Sequence, residues 1–405
     1  MMDVPLAREQ QTMFPASVVG FFFSFRIFIL PLMVSLFQVD PQVGVIATLA
    51  LNYILLVAIV FHSIGPARTT LKSLWGVRPF RWVLVFLGFS FLSLFWTVSV
   101  SVPTAFAYWC AMAADVAMVV LLLRTGPEDK MSFALMKGYV IGACLMSLIA
   151  WMLPAQEDLR LGFDDFLGPN QIGYICAFAV FLAQYLILKG GKQWKLPAAF
   201  LAITLLRSLS KTTIIAFLIA QVLILARSSS ISRRTKFLTI ICTCLVVAVF
   251  WNLLSAYYEF YTNTGTQSES LTGRTGIWAY MLIEAVQKPW IGHGFHSVWK
   301  VIPPFGEFEA RHAHNELIQQ FYAYGAAGIF MIVALYGSFY RHVRKLPISP
   351  LRTLFVGLLL FVVIRGFADT EAFDLSLPLW GIALIGITIT RLELSVERQF
   401  GEAAI

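Results

Sequence analysis

The chain has 405 residues, with 30 Lys plus Arg, 22 Asp plus Glu and a formal net charge of +8. Hydrophobic residues make up 59% and charged residues 13%, and the mean hydropathy is +0.77. Soluble domains carry about 25% charged residues, and no soluble core of this size could hide so much apolar surface. The composition therefore excludes an ordinary soluble enzyme and predicts an all-α, polytopic membrane protein.

A spanning helix takes ~20 apolar residues. The apolar runs predict about twelve such helices, near 17–37, 42–62, 82–98, 102–123, 132–153, 169–188, 196–208, 211–227, 236–258, 316–340, 351–368 and 375–390. The first follows a short polar leader with Arg8 and reads as a retained span, not a signal peptide. Basic residues fall at intervals between the runs and not in one patch, which argues against nucleic acid. Most of them lie in the N-terminus, 63–81, 124–131 with Lys137, 189–195, 227–236, 341–352 and the C-terminus. The opposite set holds Arg160, Arg207, Lys211, Arg274, Lys288, Lys300, Arg311 and Arg365, with Glu157, Asp158, Asp164 and Asp165 in one loop. The positive-inside rule then puts both termini in the cytoplasm and makes the number of spans even. The whole chain, 1–405, reads as a single integral membrane domain. All five cysteines lie in apolar runs, and Cys242 and Cys244 are too close for a Cys-x-x-Cys pair, so no disulfide framework is expected.

Spans seven and eight are short and read as a hairpin whose turn, Arg207-Ser-Leu-Ser-Lys211, carries two cations on the outer side. Either they snorkel to lipid headgroups, or their mutual repulsion is relieved by a shared anion. Ahead of them, Gly168-Pro-Asn170 suits the start of span six, and Asn170 is either structural or faces a cavity.

Most connections are short, but 259–315 forms a long loop between spans nine and ten, where function is the default expectation. Within it, Gly276–Lys288 predicts an amphipathic interfacial helix. Ile277, Trp278, Met281, Leu282, Ala285 and Val286 share one face, Trp278 sits at headgroup depth, and Pro289 ends the run. Arg274 stands at its start, where a cation opposes the helix dipole. It is either a solvated surface arginine or a guanidinium fork aimed at a phosphate. The loop ends on Arg311-His-Ala-His314-Asn315 at the mouth of span ten. The histidines at i, i+2 are open to three readings. They are metal ligands completed by His293 and His296, an interfacial pair, or an acid–base group at a helix N-terminus with Asn315 as the cap. Arg365, with Asp369 and Glu371, is either a local ion pair or another cavity wall.

Leu271-Thr-Gly-Arg-Thr-Gly-Ile-Trp278, Pro289-Trp-Ile-Gly-His-Gly294, Ala313-His-Asn315 and Tyr324-Gly-Ala-Ala-Gly328 together resemble the O-antigen ligase/polymerase superfamily. Phe95-Trp-Thr97, Gly168-Pro-Asn-Gln-Ile-Gly173 and Ser210-Lys-Thr212 are similar to its secondary motifs, and the resemblance runs over most of the chain. The Ser-Lys-Thr turn and the Arg274 block look more like exopolysaccharide polymerases of the ExoQ type than lipopolysaccharide-core ligases. The resemblance implies an enzyme of the bacterial inner membrane with its active site facing the periplasm. It would join undecaprenyl-diphosphate-linked glycan to a glycan acceptor. The mechanism expected from these residues inverts the anomeric carbon and uses no metal or other cofactor, because the leaving diphosphate is already a stabilised anion. It assigns the donor diphosphate to Arg274 and acceptor activation to His314. The hairpin cation, usually arginine, is Lys211 here, with Arg207 able to supply the fork instead. A ligase acting on lipid A-core differs only in acceptor, and a transporter of lipid-linked oligosaccharide is the reading from another class. A flippase and a chain-length regulator are possible partners.

Overall fold

The computed structural model describes residues 4–64, 71–154, 156, 159–162, 167–227, 232–249, 251–252, 255–256, 271–304, 311–370 and 375–402. The expectations that rest on Glu157, Asp158, Asp164, Asp165, Glu371 and the first part of the long loop lie outside the described residues.

Among the described residues the regular structure is helical, as the apolar runs require. Eight helical stretches among the described residues are long and apolar enough to cross a membrane: Met13–Phe37, Pro41–His62, Arg78–Phe95, Val102–Thr125, Glu128–Met152, Pro169–Leu188, Glu316–Val343 and Ser376–Leu394. The other four expected spans fall on the shorter helices α9 (Lys195–Arg207), α10 (Lys211–Arg227), α11 (Arg233–Val249) and α14 (Pro350–Gly366), which are not among those eight. In chain order the remaining elements are α1 (Val4–Phe25), α2 (Ile29–Phe37), α3 (Pro41–His62), α4 (Leu71–Trp75), α5 (Arg78–Leu92), α6 (Val102–Thr125), α7 (Glu128–Met152), α8 (Pro169–Leu188), α12 (Leu271–Gln287), α13 (Glu316–Val343) and α15 (Ser376–Glu402). Between α1 and α2 the chain tightens into a 3₁₀ turn at Arg26–Phe28, and the Arg26 guanidinium lies 5.9 Å and 5.6 Å from the ring centres of Phe22 and Phe23. Aromatic faces thus shield a charge inside an apolar run.

The chain divides into two compact units. The first comprises Met1–Thr48, Phe133–Thr266 and Ile348–Phe361, and the second Leu49–Ser132, Gln267–Pro347 and Val362–Ile405.

In the first unit α8 is the central helix, with most of its side chains buried. Its aromatic residues Tyr174, Phe181 and Tyr185 pack against Phe361, Phe217 and Phe355. α8 starts where Gly168-Pro-Asn170 predicts, with Pro169 in the first turn. Asn170 Oδ1 accepts a 2.8 Å bond from the buried Ser210 hydroxyl. A Cβ at Gly173 would come within 3.0 Å of the Ser208 and Ser210 side chains, so the Gly168–Gly173 and Ser210–Thr212 motifs are two halves of one close contact.

In the second unit α13 packs on α5, α12 and α15. Its middle is broken at Gly325, which has φ +63° and ψ −153°. The segment Pro289–Gly294 fills the break. Pro289 and Trp290 carbonyls accept the Ala326 and Ala327 amides, while the His293 and Gly294 amides donate to the Tyr322 and Ala323 carbonyls. A Cβ at Gly292 would lie 2.4 Å from the Ala323 backbone, and Gly292 itself has φ +63°. Only glycine meets both demands without strain. Thr97 closes the same knot, donating its hydroxyl to the Phe295 carbonyl at 2.6 Å. The three sequence motifs Phe95–Thr97, Pro289–Gly294 and Tyr324–Gly328 are therefore one structural device, a brace that kinks α13 and holds the loop beside it.

Candidate functional site

α12 begins at Leu271, five residues before the amphipathic pattern suggested. Arg274, Ile277, Met281 and Ala285 follow one another at helical spacing and are all buried. The last three join a core with Val298, Ile302, Ala313 and Tyr322. The Ile277 face of the expected interfacial helix is thus packed into protein, while its apolar Leu282, Ile283 and Val286 are exposed. Trp278 is half-buried, and its indole N–H donates to the Ala313 carbonyl at 2.7 Å. Its partner is thus the histidine loop.

Arg274 is 9% exposed. Its Nη1 donates to the Ala368 carbonyl, in the turn that follows α14. The last carbonyls of a helix lack intrahelical partners and carry the negative end of its dipole, so a guanidinium there is favourable. Its Nε is buried with no hydrogen-bond partner. A buried unpaired donor costs about 1–3 kcal/mol.

Several hydrogen bonds hold the loop His312–Asn315. The Ala313 amide donates to Gln319 Oε1 at 2.9 Å, and its carbonyl accepts Trp278. The His314 amide donates to His312 Nδ1 at 3.2 Å. Asn315 caps α13 as its residue type predicts, its Oδ1 accepting the Ile318 amide at 3.1 Å. Its Nδ2 donates to the Phe367 carbonyl at 2.8 Å, so Asn315 and Arg274 together satisfy two carbonyls of the same turn.

These bonds hold His314 at φ +50°, the left-handed region. For a residue other than glycine that conformation costs roughly 1–3 kcal/mol and collects at functional sites. The ring of His314 meets Asp369, with Nδ1 3.3 Å from Oδ1. An ionised carboxylate only accepts, so Nδ1 carries the proton and Nε2 becomes the basic nitrogen of the ring. Asp369 is fixed in turn: Arg365 Nη2 donates to its Oδ2 at 3.0 Å and the Thr370 amide to its Oδ1 at 3.0 Å. Burial works against the charge on Asp369. The Arg365 guanidinium, His314 and His312 outweigh it and hold the carboxyl well below the usual carboxylate range. The ring of His312 lies 4.1 Å from that of His314 at 56°. Burial, with His314, Arg365 and Arg274 adding to it against Asp369, pushes His312 well below the ordinary histidine value.

Of the residues singled out from sequence, Arg274, His312, His314, Asn315 and Arg365 thus converge in the second unit, with the exposed Arg311 one position ahead of His312. Arg207, Lys211 and Asn170 belong to the first unit. There Arg207 Nη1 donates to the Leu159 carbonyl at 2.8 Å, so a backbone oxygen already takes one arm of the fork. Lys211 opens α10 with its side chain exposed. The ion pair read for Arg365 is formed. What sequence reasoning missed is the second bond of Asp369, to a histidine 55 residues earlier, and the supporting Gln319. A carboxylate in register with an arginine at the end of an apolar run was the available signal.

The metal alternative takes a different shape from the one expected. His293 stacks on Tyr322 at 4.5 Å, and His296 stacks on Tyr108 with its Nδ1 3.1 Å from the Ser99 hydroxyl. Among the described residues it is His312, His314 and Asp369 whose ligand atoms lie within 4.8 Å of one another, and they could hold an ion. Two observations weigh against that. Arg365 already occupies one oxygen of Asp369, and Arg365 and Arg274 both bear on the ring of His312. A divalent cation would face two fixed positive charges.

The second unit therefore defines a class: a polytopic membrane protein with a histidine–carboxylate pair set beside a buried, partly unpaired arginine. Residues 196–333 match the family described as O-Antigen ligase. The chain is also 23% identical to the exopolysaccharide production protein ExoQ of Rhizobium meliloti (strain 1021), covering 74% of each protein. These findings support the O-antigen ligase/polymerase superfamily that the motifs indicated. The family match takes in the Arg207–Lys211 turn, Arg274, His314 and the Gly325 kink, while Arg365 and Asp369 lie beyond it.

Proposed function

We propose that this protein is a membrane glycosyltransferase that joins undecaprenyl-diphosphate-linked repeat units into a polysaccharide on the periplasmic side of a bacterial inner membrane. The observation that carries the reading is the His314–Asp369 pair beside Arg274, a base with a fixed tautomer next to a cation with an unused buried donor. The acceptor hydroxyl oxygen attacks the anomeric carbon of the donor from the face opposite the diphosphate, inverting it. The new C–O bond forms as the bond to the diphosphate oxygen breaks. The hydroxyl proton passes to His314 Nε2, and the lipid diphosphate leaves as an anion against Arg274. Such a leaving group is already a stabilised anion, so a guanidinium can do what a divalent ion does elsewhere. The proposed chemistry needs no metal or cofactor. The resemblance to ExoQ favours chain lengthening over transfer to a core lipid.

Turnover by the purified full chain, in vesicles with lipid-linked repeat units extracted from producing cells, tests the reading. Polymer is expected, with a yield unchanged by EDTA. Transfer to added core lipid without polymer would make the protein a ligase. Unchanged donor appearing in the opposite leaflet would make it a transporter.

A further inference from the structure

We infer that His312 is a positioning residue, whose Nδ1 accepts the backbone N–H of His314 and thereby holds His314 in the left-handed conformation that sets its ring against Asp369. The inference rests on the reading of His314 as the base, and adds the residue that keeps the base in place. The bond is 3.2 Å long and spans two residues. A side chain that accepts the amide two positions on is the geometry of an Asx turn, ordinarily made by Asn or Asp because it stabilises just such tight backbone. Here a histidine makes it, and the residue it serves sits at φ +50°.

The rest of the loop explains why this bond matters. The Ala313 amide and carbonyl are fixed by Gln319 and Trp278, and Asn315 is fixed by the α13 cap and Phe367. The His314 amide falls between them, and His312 gives it its partner. Without that bond, a non-glycine residue in the left-handed region has an easier right-handed alternative, which swings its side chain away from Asp369. The 4.1 Å ring contact adds a wall that limits the His314 ring on one side.

The inference identifies one nitrogen, and that makes it testable. Asn Oδ1 stands the same number of bonds from Cα as His Nδ1, whereas Gln Oε1 reaches toward the Nε2 position. With the full chain and lipid-linked repeat units, His312→Asn should keep kcat within about tenfold of wild type. His312→Gln and His312→Ala should lose about a hundredfold in kcat with the donor KM little changed, as expected for a misplaced catalytic group. An active Gln variant beside an inactive Asn variant would move the role to Nε2, as for a metal ligand or a direct proton carrier, and overturn the inference. Wild-type rates in all three would overturn it too.

A second measurement stands apart from turnover. In the ¹⁵N spectrum of histidine-labelled full chain, the resonances lost in His312→Asn should show an unprotonated Nδ1 and a protonated Nε2. The opposite tautomer would contradict the bond. If His314→Ala stayed active while this signature held, the base assignment would fall and the positioning bond would stand.

Discussion

The His312–Asn315 loop and the Arg207–Lys211 turn both lead into a helix and both carry candidate chemistry, yet they are built differently. In the turn Ser208 bonds back to Leu205, Ser210 bonds to Asn170 and Thr213, and the Leu159 carbonyl holds one arm of Arg207, while the Lys211 side chain is exposed. In the loop the ring of His314 is itself held, by a strained backbone at one end and a buried carboxylate at the other. Proton transfer depends steeply on distance and angle, whereas an ammonium acts on an anion as a point charge from many geometries. The difference predicts that the loop governs kcat and that the turn, if it binds anion at all, governs KM.

The largest effect expected on that basis comes from His314→Ala and Arg274→Ala, each costing 10²–10⁴ in rate, roughly the value of a general base or an anion clamp. Activity of membrane-inserted variants in producing cells would check this. Asp369→Asn comes next. The amide can present a donor to Nδ1 and leave the wrong ring nitrogen basic, so a loss of about 10² in kcat is expected, measured by initial rates at saturating donor. At Lys211, Ala should raise the donor KM several-fold with kcat nearly constant, and Arg should restore it. A collapse of kcat at Lys211 would break the contrast between the two regions. Trp278→Phe removes one donor from Ala313 and should cost about 1 kcal/mol of stability, read as a small fall in thermal midpoint.

Acid supplies a further check. The folded state keeps His312 neutral far below the ordinary value of 6.5 that it regains on unfolding. The unfolded chain therefore binds the extra proton first. The His312 contribution to stability is intact above about pH 6.5 and declines as pH falls below it. Asp369, held low, keeps its own contribution until pH drops beneath the ordinary carboxylate range. Thermal midpoints of wild type should fall from pH 7 to 5 more than those of His312→Asn.

Much of this architecture was legible in the sequence because each signal was local. Apolar runs gave the helices, since hydrocarbon tolerates little else. Gly168-Pro-Asn marked the start of α8, and Asn315 announced the cap of α13. The glycines at 292, 294 and 325 were visible as motifs, but their common purpose was not. It depends on segments some thirty residues apart meeting backbone to backbone. What covers each part of the apolar face of α12 was not readable for a similar reason. Periodicity shows which residues share a face, not whether lipid or Val298 and Tyr322 will cover it. Asp369 was seen only as the partner of Arg365, four residues before it, because an i, i+4 pair is readable along one helix and a contact across 55 residues is not.

The central claim is that His314 and Asp369 act as one unit, and a double-mutant cycle tests it most directly. The kcat of wild type, His314→Ala, Asp369→Asn and the double variant would be measured on the same lipid-linked donor. A residue that only orients another has nothing left to do once its partner is gone, so the double variant should be no slower than His314→Ala alone. If the two losses multiplied instead, Asp369 would act independently of the histidine, and the pairing that defines this site would not be its chemistry.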